Sequence, residues 1–131
     1  MYLWFSFCMF LLGGSMAMVI RAELFQPGLQ LVSPDFFNQM TTVHGLIMVF
    51  GAIMPAFVGL ANWLVPMMIG APDMALPRIN NWSFWLLPFA FGMLICTLFM
   101  DGGAPNFGWT FYAPLSTTYG PDSTALFVFS V

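Results

Sequence analysis

Charge is what this chain most lacks. Of its 131 residues only 5% are charged, two basic and five acidic, where a soluble domain carries about 25%. That shortage excludes an ordinary soluble globular domain. Arg21 and Arg78 are the only cations, so no basic patch exists to hold nucleic acid. Cysteine occurs twice, at Cys8 and Cys96, in separate apolar blocks and without CxxC or Cys/His spacing. Both read as small buried hydrophobes and not as a disulfide or a metal pair. Histidine occurs once, at His44. No nucleophile–base pair, P-loop or GxGxxG is present. Residues 1–20 are apolar but lack a basic leading stretch and a convincing small-residue cleavage site, so they are not expected to be a cleavable signal peptide.

What the chain has in excess is apolar length. It is 60% hydrophobic, with a mean hydropathy of +0.89. The few charges fall at the edges of apolar blocks, as expected when lipid is the solvent. The pattern predicts an all-α, polytopic transmembrane helix bundle. Spans are expected over roughly residues 1–21, 34–69 and 83–100, with the start of a fourth at 123–131, all within one domain unit of residues 1–131. The last segment, STALFVFSV, is under half of the roughly 20 residues a crossing needs. The chain is therefore expected to be a fragment of a larger membrane protein.

Between the spans the sequence carries clear punctuation. Gln26-Pro27-Gly28 forces a turn. Ser33-Pro34-Asp35 is a helix start: a capping hydroxyl, a proline at the first helical position, and a carboxylate at the positive end of the dipole. Residues 70–82 read as a Pro-rich turn holding Asp73, Arg78, Asn80 and Asn81. Asn81-Trp82-Ser83 fits a glycosylation sequon but abuts a span, so it is read as chance. Residues 101–122 form a Gly/Pro/aromatic loop, with Trp109, Phe111, Tyr112 and Tyr119 suited to a membrane interface. Hairpin connectivity puts loops 21–33 and 101–122 on one side of the membrane and loop 70–82 on the other.

His44 lies within the long second span, about 15 Å along its helix at 1.5 Å per residue. An ionisable group at that depth is costly and functional by default. It has four readings: haem ligand, other metal ligand, proton carrier, or hydrogen-bonded structural residue. An axial pair would need a second histidine, which this chain does not have. Gly45, Gly51 and Gly59 leave room for something flat or for another backbone. Gly13, Gly14, Ser15 and Ala17 make a small-residue patch suited to close helix or cofactor packing. Pro55 removes a backbone bond to Gly51, which predicts a kink. His44 and Asn62 are five α-helical turns apart and so are expected on one stripe, about 27 Å apart along the axis. Asp73, with Asn62, Asn80 and Ser83, reads either as the start of a water-filled proton path or as an interfacial cap. Arg21 reads as a snorkelling anchor.

The motifs IRAELFQPG, TTVHGLIMVFGAIMPAFVGLANWLVPMMIGAPDMALPRINNWSFWLLP and GWTFY resemble subunit I of the haem–copper terminal oxidases, of the cytochrome c oxidase type. The resemblance runs over essentially the whole chain. It implies that His44 is one axial ligand of a low-spin haem of the haem a type, and that Arg21 hydrogen-bonds the formyl group of that haem. It implies that Glu23 belongs to a metal (cation) site on the outer side. Asp73 would stand at the entrance of the D proton channel, with Asn62, Asn80 and Ser83 lining its first stretch. Trp109 would lie near a propionate of the high-spin haem. Loop 70–82 would then face the cytoplasm or matrix.

The resemblance further implies an intact proton-translocating oxidoreductase that oxidises cytochrome c and reduces O2 to water. Its partners would be cytochrome c, oxidase subunits II and III and the lipid bilayer, with no nucleic acid. The setting would be a bacterial plasma membrane or a mitochondrial inner membrane. The high-spin haem and copper ligands are not among these residues, so no catalytic residue is expected here and the fragment alone cannot reduce oxygen. The stretch from Pro55 to Asn62 is one residue shorter than in the mitochondrial-type pattern, which bears on the register of Asn62. Three other readings remain: a quinol oxidase of the same superfamily, a non-haem membrane transporter, and a structural membrane subunit. The APDMALPR loop favours the cytochrome c type over the quinol type.

Overall fold

The structure is a computed structural model, and it describes residues 1–118 and 120–130, with Phe129 as backbone only. Tyr119, expected at the interface, and Val131, the end of the expected fourth span, lie outside the described residues. Helix α1 runs over Tyr2–Glu23. A long second helix follows in three parts: α2 (Pro34–Leu46), a π-helical segment (Ile47–Ile53) and α3 (Met54–Ile69). Helix α4 (Pro77–Cys96) continues through a 3-10 turn, Thr97–Phe99. Two short helices, α5 (Leu115–Thr118) and α6 (Thr124–Ser130), complete the order. The described residues hold no strand. Three helices are long and apolar enough to cross a membrane: Tyr2–Glu23, Pro34–Ile69 and Pro77–Phe99.

Helix α1 packs antiparallel along the whole second helix. Its inward residues are Ser6, Gly13, Met16 and Glu23, with Met9, Leu12 and Ile20 beside them. Steps of three and four residues are the seam of left-handed helix packing. Of the small-residue patch, only Gly13 is used this way. A Cβ there would meet Met48 and Ile47, while one on Gly14 would meet nothing. The opposite face shows Trp4, Phe7, Leu11 and Met18, as a lipid-facing surface requires. Cys8 and Cys96 are free and exposed. The expectation that they are buried is corrected: each sits on an outward helix face, where an apolar thiol costs nothing in lipid.

Local sequence explains the helix ends. Ser33 Oγ accepts the Phe36 N–H at 3.3 Å, with Pro34 at the first helical position. Gly70, at φ 71°, ends α3 in the left-handed conformation, and its neighbour's N–H returns to the Pro66 carbonyl at 2.9 Å. The expected turn over 70–82 is shorter than the sequence suggested. Helix α4 starts at Pro77, because proline presets the helical φ and needs no N–H partner there. Arg78, Asn80 and Asn81 are thus helical.

At Pro55, where a kink is expected, the helix is altered in the turns ahead of the proline. The helix widens into the π segment over Ile47–Ile53, with the Met54 N–H bonding the Val49 carbonyl. One carbonyl there, that of Ala52, is claimed by the buried Ser6 hydroxyl of α1 at 2.6 Å. Gly51 lets this segment close on both neighbours. A Cβ there would lie 3.0 Å from the Phe91 ring of α4 and 3.2 Å from Met9 of α1.

Candidate functional site

His44 leaves α2 toward α1. Its Nδ1 lies 2.8 Å from the Gly13 carbonyl. A carbonyl can only accept, so Nδ1 carries the proton and donates. In the neutral ring this leaves Nε2 with its lone pair free. The bond exists because Gly13 has no side chain, so α1 can approach the second helix closely at this level. His44 is half-buried, between the buried Val43 and the half-buried Gly45. Gly45 faces a flat group, as its lack of a side chain suggested, but that group is the Trp109 indole. A Cβ on Gly45 would lie 3.4 Å from Trp109 Cδ1. Trp109 itself is 47% exposed.

The donor set at His44 fits one axial bond to haem iron. A ligating histidine characteristically donates its second N–H to a carbonyl or carboxylate, which fixes the tautomer and strengthens the ligand. The described residues contain no cluster of three or more His, Cys, Asp or Glu side chains. A multi-residue metal site is therefore not assembled here from those side chains.

Arg21, in the last turn of α1, is exposed. Two residues on, Glu23 turns inward. Its Oε1 accepts the Gln30 N–H at 2.8 Å, and its Oε2 accepts those of Leu31 and Val32 at 2.6 and 3.1 Å. Three backbone dipoles thus point their positive ends at this carboxylate. These bonds use three of the roughly four lone-pair sites of the carboxylate.

At the opposite end of the bundle, the Asn62 Nδ2 of α3 donates to the Asn80 Oδ1 of α4 at 2.9 Å. The Tyr2 hydroxyl donates to the Asn80 carbonyl at 3.3 Å. These groups line a cavity of about 460 Å³, bounded also by Gly59, Met74 and Pro77. His44 meets α1 and Asn62 meets α4, and the π segment between them breaks the α-helical phase that a single stripe assumes. Asp73 is exposed, accepts the N–H of Met74 at 2.7 Å, and sits beside this cavity in the chain. The Ser83 hydroxyl donates to the Ile79 carbonyl at 3.0 Å. It faces a separate, mostly apolar cavity of about 530 Å³ between the second helix and α4, which Asn80 also lines. Of the expected channel residues, then, Asn62 and Asn80 are brought into contact, and Asp73 and Ser83 are not.

Sequence reasoning missed two residues of this region, Gln39 and Thr42 of α2. Gln39 binds the 101–109 loop through its amide, and Thr42 accepts the N–H of Gly108 at 3.0 Å. Their signal was faint: they stand among other polar residues of α2, Asn38 and Thr41, and nothing in the sequence sets them apart.

A family model described as cytochrome c and quinol oxidase polypeptide I matches residues 1–131. Cytochrome c oxidase subunit 1 of Corynebacterium efficiens is 47% identical over 116 residues, covering 88% of this chain and 20% of that protein. The subunit 1 of Corynebacterium glutamicum is similar to the same degree, 47% over 116 residues and the same two shares. The Synechocystis subunit 1 is 45% identical over 130 residues, covering 99% of this chain and 23% of that protein. The chain spans about a fifth of the length of the curated relatives it matches. With a match along its full length and three helices apolar enough to cross a membrane, the chain belongs to the cytochrome c and quinol oxidase polypeptide I family.

Proposed function

We propose that this chain is part of the catalytic subunit of a membrane-bound terminal oxidase that oxidises cytochrome c, reduces O2 to water and translocates protons. Its own contribution is one axial ligand of a low-spin haem, His44, and part of a proton-uptake path. The single observation that carries the reading is the 2.8 Å bond from His44 Nδ1 to the Gly13 carbonyl. It leaves Nε2 as the ligating atom and holds the ring plane through a backbone group of a packed helix, which cannot drift as a side chain could. Haem bound there supplies a one-electron redox couple. Arg21, at the exposed end of α1, is the residue proposed to reach the formyl group of a haem a, and Trp109 is proposed to serve a propionate of the second haem. The second haem, the copper and their ligands belong to the rest of the subunit. Subunits II and III are the proposed neighbours in the complex. The cytochrome c type is preferred to the quinol type because the relatives are named cytochrome c oxidases.

At the far end, the Asn62–Asn80 pair and its cavity are proposed to order water behind the Asp73 carboxylate, which would receive protons from the adjoining aqueous phase. Amides orient water without carrying charge, so they line such a path while leaving the net charge at Asp73. Ser83 would act farther along the α4 face. Glu23 is proposed as the clasp of the 24–33 loop, its charge met by N–H dipoles where the family pattern would put a cation.

The experiment is His44→Ala in the full-length subunit, assembled in its complex and purified from membranes. The reading expects haem content, measured as the pyridine haemochrome, to fall from two haems per complex to one, with loss of the low-spin absorption band. An unchanged haem count with an intact low-spin band would refute it.

A further inference from the structure

The segment that carries Trp109 is fastened to α2 along one face. Gln39 Oε1 accepts the Ala104 N–H at 3.2 Å, and Gln39 Nε2 donates to the Gly102 carbonyl at 3.5 Å. About one turn on, the Thr42 hydroxyl donates to the Asn38 carbonyl at 2.8 Å and accepts the Gly108 N–H at 3.0 Å. Another turn on, Gly45 meets the Trp109 indole. Gln39, Thr42 and Gly45 are three residues apart, so they form one stripe, and His44 is next in sequence to its last member.

The loop cannot hold this shape by itself. Gly102, Gly103 and Gly108 stand at φ 84°, 73° and 81°, and glycine has little intrinsic preference for one conformation over another. Side chains from outside it hold it in place: those of α2, and the Ser123 hydroxyl, which donates to the Gly103 carbonyl. Thr42 is well placed to do so, since it is 1% exposed and its one hydroxyl serves as donor and acceptor at once.

We infer that Gln39 and Thr42 are positioning residues that seat Trp109 against Gly45 and thereby set the surroundings of the cofactor held by His44. This rests on the reading of His44 as a haem ligand. Neither side chain needs to touch the cofactor. They act through the loop backbone, and what they control is the place of one indole beside the ligand.

The test uses the full-length oxidase complex with Thr42→Val, Gln39→Leu and the conservative Thr42→Ser. Hydrogen exchange of the 102–109 segment and the midpoint potential of the low-spin haem are both measured. Thr42→Val removes the one bond from this side chain to the loop, a bond of ordinary strength, so exchange at the Gly108 amide is expected to rise about two- to tenfold, together with a shift of the haem potential. Thr42→Ser keeps the hydroxyl and is expected to move neither. Gln39→Leu, at a half-buried position, is expected to act in the same direction through Ala104, and it decides the matter if Thr42→Val does not assemble. Unchanged exchange, or faster exchange with an unchanged potential, overturns the inference. A low-spin band that survives His44→Ala would instead remove the reading on which it rests, so the two failures are distinct.

Discussion

Replacing Gly13 with valine tests the contact between α1 and the histidine by a purely steric route. A Cβ at Gly13 would sit 2.6 Å from the Met48 Sδ, 3.1 Å from the Met48 Cγ and 3.3 Å from the Ile47 Cγ2. Carbon atoms in contact prefer about 3.5–4.0 Å. The Met48 thioether can swing aside for a lone methyl. Valine adds two further methyl groups, and Ile47 is fully buried, so α1 itself must move out by about 1 Å. The 2.8 Å bond from His44 Nδ1 to the Gly13 carbonyl then exceeds the length at which a hydrogen bond holds. One such bond is worth about 0.5–1.5 kcal/mol. If the loss falls on the oxidised form alone, that equals about 20–65 mV for a one-electron couple.

The sign follows from the chemistry. Donation from Nδ1 makes the ring a stronger base, and a stronger base favours ferric iron, so losing the bond raises the potential. The control is Gly14→Val, with the same change in helix propensity but nothing within 4 Å of the added Cβ. Potentiometric titration of the low-spin haem in the full-length complex is the assay. An equal potential in the two variants would refute the reasoning.

Two further outcomes follow from the same geometry. Asp73→Asn in the intact enzyme is expected to slow proton uptake and to lower the protons pumped per electron, read from pH changes in vesicles holding the enzyme. Asn62→Leu is expected to slow uptake to a lesser degree, and unchanged stoichiometry in both would remove the channel role. Glu23→Gln keeps one acceptor oxygen but sets an amide donor against backbone donors. Amide exchange at Gln30, Leu31 and Val32 is expected to rise, with no restoration by added calcium. Unchanged exchange, or a calcium-dependent recovery, would show that the carboxylate is not the clasp described.

Much of the scaffold was legible because a chain in lipid has few choices. Long uncharged runs must be helices, and Ser33-Pro34-Asp35 and Gly70 mark their ends by local chemistry. His44 stood out because it is the only ionisable group deep in a span. What escaped was whatever needs a partner from elsewhere in the chain. Pro55 announced a disturbance, but its form, a π segment with a carbonyl taken by Ser6 of another helix, depends on packing. The Asn62–Asn80 bond joins two helices, and the Pro-rich 70–82 stretch reads as a turn although Pro77 opens a helix that includes Asn80. Nothing around Glu23 in the sequence announces that the loop that follows it folds its own N–H groups onto the carboxylate. Gln39 and Thr42 were passed over since nothing in α2 itself reveals the loop, more than sixty residues on, that they hold.

The central claim is that the imidazole of His44 ligates iron through Nε2. The most direct measurement is His44→Gly in the full-length complex, followed by low-temperature electron paramagnetic resonance with and without free imidazole. The low-spin ferric signal is expected to vanish in the variant and to return when imidazole fills the space left by the ring. A low-spin signal that persists in His44→Gly without imidazole would contradict the claim.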